Sequence, residues 1–112
     1  MTILEVQVET RGEAVHVVLS GELDLSCADK VEDELRKIEK NDPALIVLDL
    51  AGLKFLDSTG LRLIVTADQR ARQTGRRLAI VKGPETVHRV FSITKLDERL
   101  EIVDDAETLT TD

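Results

Sequence analysis

Two short apolar runs, Leu45-Ile46-Val47-Leu48-Asp49-Leu50 and Leu78-Ala79-Ile80-Val81, limit what this chain can fold into more than any other feature. Neither alternates between apolar and polar residues, which is the pattern of a strand buried on both faces. Between them Leu61, Ile64, Val65, Ala67, Asp68 and Ala71 form a mostly apolar helical stripe, closed by Gly75. The spacing predicts a helix over 59–74 with glycine just past its end. Buried strand, helix and buried strand in succession require parallel pairing through a right-handed crossover.

The flanking segments extend this pattern. Residues 4–9 alternate Leu4, Val6 and Val8 with Glu5, Gln7 and Glu9, as an edge or near-edge strand with one wet face would. Arg11-Gly12-Glu13 supplies a turn into the apolar run 15–20, so the chain opens with a hairpin. Ser26 stands three residues before Asp29 in a capping-box-like start, and Ala28, Val31, Leu35 and Ile38 share one face of a helix expected over 27–40. Asn41-Asp42-Pro43 ends it. Gly83-Pro84 opens a third helix with Val87, Val90 and Phe91 inward, and 100–103 can form a last short strand. The segment 104–112 is expected either to form one helical turn or to fray. The fold class is therefore α/β: one domain over residues 1–112, with a four- to five-stranded mixed sheet flanked by helices.

Charge and composition exclude several functions. Fifteen Lys and Arg against 22 Asp and Glu leave a net charge of −7, scattered along the chain. Phe55 and Phe91 are the only aromatic residues apart from the two histidines. Neither nucleic acid nor an anionic membrane suits such a surface. There is no apolar run of membrane-spanning length, and the N-terminus is too acidic for a signal peptide, so a soluble cytoplasmic protein is expected. Cys27 has no second cysteine to pair with. At the first turn of a helix it would gain nucleophilicity, although a plain buried or half-buried thiol is the simpler reading. His16 and His88 lie far apart with no ligand-spaced neighbour, so no metal and no cofactor are expected. No nucleophile elbow, triad or glycine-rich phosphate loop is present, and the chain is not expected to be an enzyme.

A loop through Gly52 and Lys54 is expected after the central strand, and Asp57-Ser58-Thr59-Gly60-Leu61 joins that loop to the start of a helix and holds two adjacent hydroxyls. Either hydroxyl could simply cap the helix. Alternatively, a helix N-terminus stabilises added negative charge, and a hydroxyl placed there can be phosphorylated without disrupting the fold. A second loop, Gly21-Glu22-Leu23-Asp24-Leu25-Ser26, precedes the first helix, with Asp24 or Ser26 as possible caps. If the strands before these loops are neighbours, both loops emerge at one end of the sheet, and Asp24, Asp57 and Ser58 share an acidic surface.

Gly21-Glu22-Leu23-Asp24, the run 46–50 and Phe55-Leu56-Asp57-Ser58-Thr59-Gly60-Leu61 together resemble the STAS domain, in particular the bacterial anti-sigma factor antagonists. The resemblance implies a protein whose unmodified form binds a GHKL-type serine kinase that doubles as an anti-sigma factor, so that the sigma factor is released. The kinase would phosphorylate the first hydroxyl of the motif, Ser58, and a PPM-type phosphatase would restore it. Thr59, where many relatives have serine, is the alternative acceptor. The implied partner-facing residues are Gly21, Glu22, Asp24, Asp57, Thr59, Gly60 and Leu61. Rival readings are a STAS subunit of a transporter or of a stressosome-type scaffold and, from another class, a phosphotransfer receiver domain. The receiver fold opens with a parallel βαβ unit, whereas this chain opens with a hairpin.

Overall fold

The computed structural model describes residues 3–109. The opening alternation becomes β1 (Leu4–Arg11), and the run after the Gly12 turn becomes β2 (Ala14–Leu23), antiparallel to it. Then follow α1 (Ala28–Glu39), β3 (Leu45–Leu56), α2 (Ser58–Thr74), β4 (Arg77–Val81), α3 (Glu85–Ile93) and the two-residue β5 (Ile102–Val103). One five-stranded sheet runs β1-β2-β3-β4-β5, and every pair after the hairpin is parallel. The apolar run 45–50 lies at its centre, as its lack of alternation requires.

The α1 face is Ala28, Val31, Leu35 and Ile38, all buried, as the periodicity predicts. On α2 the expected stripe shifts. Gly60, Leu63, Ile64, Ala67, Asp68 and Ala71 are buried, while Leu61 and Val65 are only half-buried on its flank. The cause is Gly60, whose bare backbone presses against Leu23 and Leu56 and so sets the helix's rotation. In α3, Val87 and Phe91 are buried and Val90 is half-buried.

The buried faces of all three helices join Val17, Leu19, Ile46, Leu48, Leu50, Leu78 and Ile80 in one apolar cluster on the same side of the sheet. On the other side a smaller cluster, Ala14, Leu45, Val47, Ala79 and Val81, is covered by Val103, Ala106 and Leu109. The sheet is thus flanked by helices on one face only. The tail forms a single 3₁₀ turn, Ala106–Thr108, where Asp105 accepts from the Glu107 N–H at 2.9 Å. The rest of the expected tail lies outside the described residues.

The strand ends differ from expectation in a way that matters for the site. β2 continues past Ser20 to Leu23, and β3 continues past Leu50 to Leu56, where a loop through Gly52 and Lys54 is expected from sequence. Ser20 pairs with Gly52, Glu22 with Phe55 and Leu23 with Leu56, across two register shifts. Each shift is an irregularity of the bulge kind, which breaks the alternation that would reveal a strand in sequence. Gly21 lies there at φ +109°, where a Cβ would stand 2.2 Å from the Ile3 carbonyl oxygen, so only glycine fits.

Candidate functional site

Because β2 and β3 are parallel neighbours and end together, the segments that follow them meet. The Asp57 N–H donates to the Leu23 carbonyl at 3.2 Å, fixing the start of α2 against the end of β2. Asp57 is the N-cap of α2, and its Oδ1 accepts from the Gly60 N–H at 2.9 Å. Neither Ser58 nor Thr59 caps the helix. The expectation of a hydroxyl cap fails because the carboxylate one residue earlier takes the Gly60 N–H. Ser58 is therefore the first helical residue, exposed, with no side-chain hydrogen bond among the described residues; Thr59 is half-buried.

The second oxygen of Asp57 crosses to the other loop and accepts from the Leu25 N–H at 3.1 Å. One carboxylate thus bridges α2 and the 24–27 segment. That segment is shaped by Asp24, whose Oδ1 accepts from the Ser26 N–H at 2.9 Å and from its hydroxyl at 2.6 Å. This closes a turn of the Asx kind. Neither Asp24 nor Ser26 caps α1, and the capping-box expectation is corrected for the same reason: the Ser26 hydroxyl is already committed to Asp24. Cys27 occupies the N-cap position without a side-chain cap bond. Its half-buried thiol donates to the Glu22 carbonyl, with sulfur and oxygen 3.4 Å apart, and so serves as a strut beneath the loop.

Gly21, Glu22, Asp24, Asp57, Ser58, Thr59, Gly60 and Leu61 all lie at this end of the sheet. Gly60 is buried, as packing against Leu23 and Leu56 demands, and offers no side chain to a partner. Gly21 and Glu22 belong to β2 and not to the loop. Two residues escape sequence reasoning. Leu25 is 74% exposed and is held beside Asp57 by its own N–H, and Phe55 is 47% exposed on β3, three residues before Ser58. Both are large apolar side chains left facing water. The available signal is that Phe55 follows Lys54 in a stretch of β3 that leaves the core, and that Leu25 stands between two polar residues.

His16 sits apart from this end, on the helix-free face, with a pKa pushed below the usual 6.5 by burial and by nearby Arg11. Among the described residues no three His, Cys, Asp or Glu side chains gather in a way that could hold a metal ion. No helix is long and apolar enough to cross a membrane.

The family model described as "STAS domain" matches residues 5–109. The chain belongs to the STAS domain family. An anti-sigma-B factor antagonist of Listeria monocytogenes is 30% identical over 88 residues, covering 79% of this chain and 77% of the relative. In fold, the chain is similar to an anti-sigma factor antagonist from Mycobacterium paratuberculosis, with a TM-score of 0.86, 22% identity, and 95% and 90% of the two chains covered. It also matches the antagonist SpoIIAA in its unphosphorylated form, with a TM-score of 0.78, 22% identity, and coverage of 93% and 92%. The antiparallel opening of this STAS sheet departs from the parallel βαβ opening expected of a receiver domain.

Proposed function

We propose that this STAS domain is an anti-sigma factor antagonist switched by phosphorylation of Ser58. Unmodified, it binds an anti-sigma factor that is also a GHKL-type serine kinase, and the sigma factor is released. The observation that carries this reading is the division of labour between Asp57 and Ser58. The aspartate supplies the cap, so the adjacent hydroxyl is exposed and uncommitted at the first position of a 17-residue helix anchored in the core. The name of the Listeria relative, an anti-sigma-B factor antagonist, supports the same reading.

In the proposed step Ser58 Oγ attacks the γ-phosphorus of ATP held by the kinase. The new oxygen–phosphorus bond forms as the bond to the β-phosphate oxygen breaks, ADP leaves, and the hydroxyl proton passes to a base on the kinase. A PPM-type phosphatase returns the serine by hydrolysis. The phosphate adds roughly −1.5 to −2 charge at neutral pH, next to Asp57 and close to Asp24. Like charges close together at an interface can cost several kcal/mol of affinity, and the complex dissociates.

The test is capture from the native cell on immobilised wild-type, Ser58→Ala and Ser58→Glu protein, read by mass spectrometry together with phosphosite mapping. A kinase retained by the first two baits and lost from the third, with phosphate on Ser58, is the expected result. Phosphate only on Thr59, or equal capture by all three baits, would overturn the assignment.

A further inference from the structure

We propose that Arg62 is the positioning residue for the phosphorylated state: its guanidinium pairs with the phosphate on Ser58 and holds it against the first turn of α2. The inference deepens the phosphorylation reading above and rests on it.

The first observation is an arginine without a carboxylate. Among the described residues every arginine except Arg62 and Arg99 has a carboxylate within ion-pair distance. Arg62 is exposed, in the second turn of α2, and among the described residues no hydrogen bond or ion pair involves its side chain. In a chain of net charge −7 with 22 acidic residues, an arginine left unpaired in this way is conspicuous.

The second observation is where it stands. Arg62 follows Ser58 by four residues, so the two side chains emerge on the same face of α2 one turn apart, with Cβ atoms about 6 Å from each other. Helical side chains lean toward the N-terminus, which carries the guanidinium over the turn that holds Ser58. An anion followed four residues later by a cation is also the favourable order for such a pair. In the unmodified protein the arginine sits near the positive end of the helix dipole, an unfavourable place for a cation. A phosphate on Ser58 reverses that.

The third observation is that the neighbouring carboxylate is engaged. Asp57 directs one oxygen to the Gly60 N–H and the other to the Leu25 N–H. Phosphate oxygens can take the guanidinium on one side and the Ser58 and Thr59 N–H groups of the first turn on the other, since only the Gly60 N–H is given to Asp57. The modified serine would then occupy one defined position in place of a freely rotating one.

The test installs phosphoserine at position 58 during synthesis by genetic code expansion, so that no kinase is needed and the pairing is read independently of whether cells phosphorylate Ser58. The phosphorus NMR signal is titrated from pH 4 to 9 in otherwise wild-type, Arg62→Gln and Arg62→Lys proteins, at low salt and at 0.5 M salt. The second ionisation of free phosphoserine lies near 6. The expected result is a midpoint higher in Arg62→Gln by roughly half a unit, a partial return in Arg62→Lys, and a smaller difference at high salt. Identical midpoints in all three proteins, each shown to be folded by its melting curve, would overturn the proposal. So would a case in which Arg62→Gln changes only the capture of partners by the unmodified protein, for the arginine would then be a partner contact.

Discussion

At Ser58 the side chain matters less for what it binds than for what its neighbour relieves it of. Asp57 performs two tasks with two oxygens, and a single-atom exchange separates them. The Asp57→Asn substitution keeps a side-chain carbonyl to cap the Gly60 N–H but presents an amide N–H₂ where Leu25 needs an acceptor. The helix start survives and the loop tether is lost. Stability is expected to fall by only about 1 kcal/mol, the usual worth of one such hydrogen bond, while binding of the anti-sigma factor drops much further because Leu25 is no longer tethered to Asp57. Asp57→Ala, which loses both tasks, is expected to cost about 2 kcal/mol or more. Urea unfolding and calorimetric titration of the two variants separate these effects; equal loss of affinity and stability in both would refute the bridging role. The position of the motif is legible in the sequence, but its division of labour is not. Aspartate, serine and threonine are all good caps, and only the backbone path after Leu56 decides that Asp57 takes the role.

Packing of elements is set by close approach as much as by apolar area. Gly60 lies where α2 meets the ends of β2 and β3, and a Cβ there would come within 2.7 Å of Leu56 Cδ1, 2.8 Å of Leu23 Cγ and 3.0 Å of the Leu23 carbonyl oxygen. Gly60→Ala is expected to destabilise by about 1–3 kcal/mol, the range for overpacking, and to displace the start of α2. A lower urea midpoint accompanied by amide shifts at 23, 56 and 57 is the expected signature, and an unchanged midpoint would show that the contact yields freely. The α1 face was legible because its apolar residues keep helical spacing without interruption. The ends of β2 and β3 were not, because two register shifts and the glycines at 21 and 52 remove the alternation that a strand reading depends on. On α2 the apparent stripe through Leu61 and Val65 competes with one through Leu63, and the choice falls to Gly60, whose lack of a side chain hides its importance from any count of apolar residues. Between α1 and α2, Arg70 joins Glu32 and Glu39, both at 2.7 Å, a cross-helix clamp with no periodic sequence signal.

Taken as a whole, the molecule has a thick helix-covered side and a thin one, and His16, a residue whose burial makes stability depend on pH, lies on the thin side. His16 is 7% exposed there, opposite Glu9 in the β1–β2 register, with Arg11 and Asp49 also acting on it. Burial and Arg11 lower its pKa, so the unfolded chain takes up a proton before the folded one does. The contribution of neutral His16 is complete above about pH 6.5 and is lost as pH falls from there toward the lowered folded value. Wild-type protein should lose more stability than His16→Val between pH 7.5 and 5.5 in urea unfolding; parallel losses would remove His16 as the cause. Glu101, held below the usual carboxylate range by its hydrogen bond to Arg77, acts in the same direction only below about pH 4.5. The switch end is expected to be insulated from all of this. Phosphoserine at 58 should shift backbone signals mainly at 55–62 and 21–26, with little change at 45–50 and 78–81, and widespread change in those strands would mean that the fold itself rearranges. Insulation has a cellular consequence. Because the cap on α2 belongs to Asp57 and not to the hydroxyl proposed for modification, both forms should resist proteases equally and be degraded at the same pace. Under the proposed switch the cell would then read a ratio of two equally durable species, and could reverse the signal without making new protein.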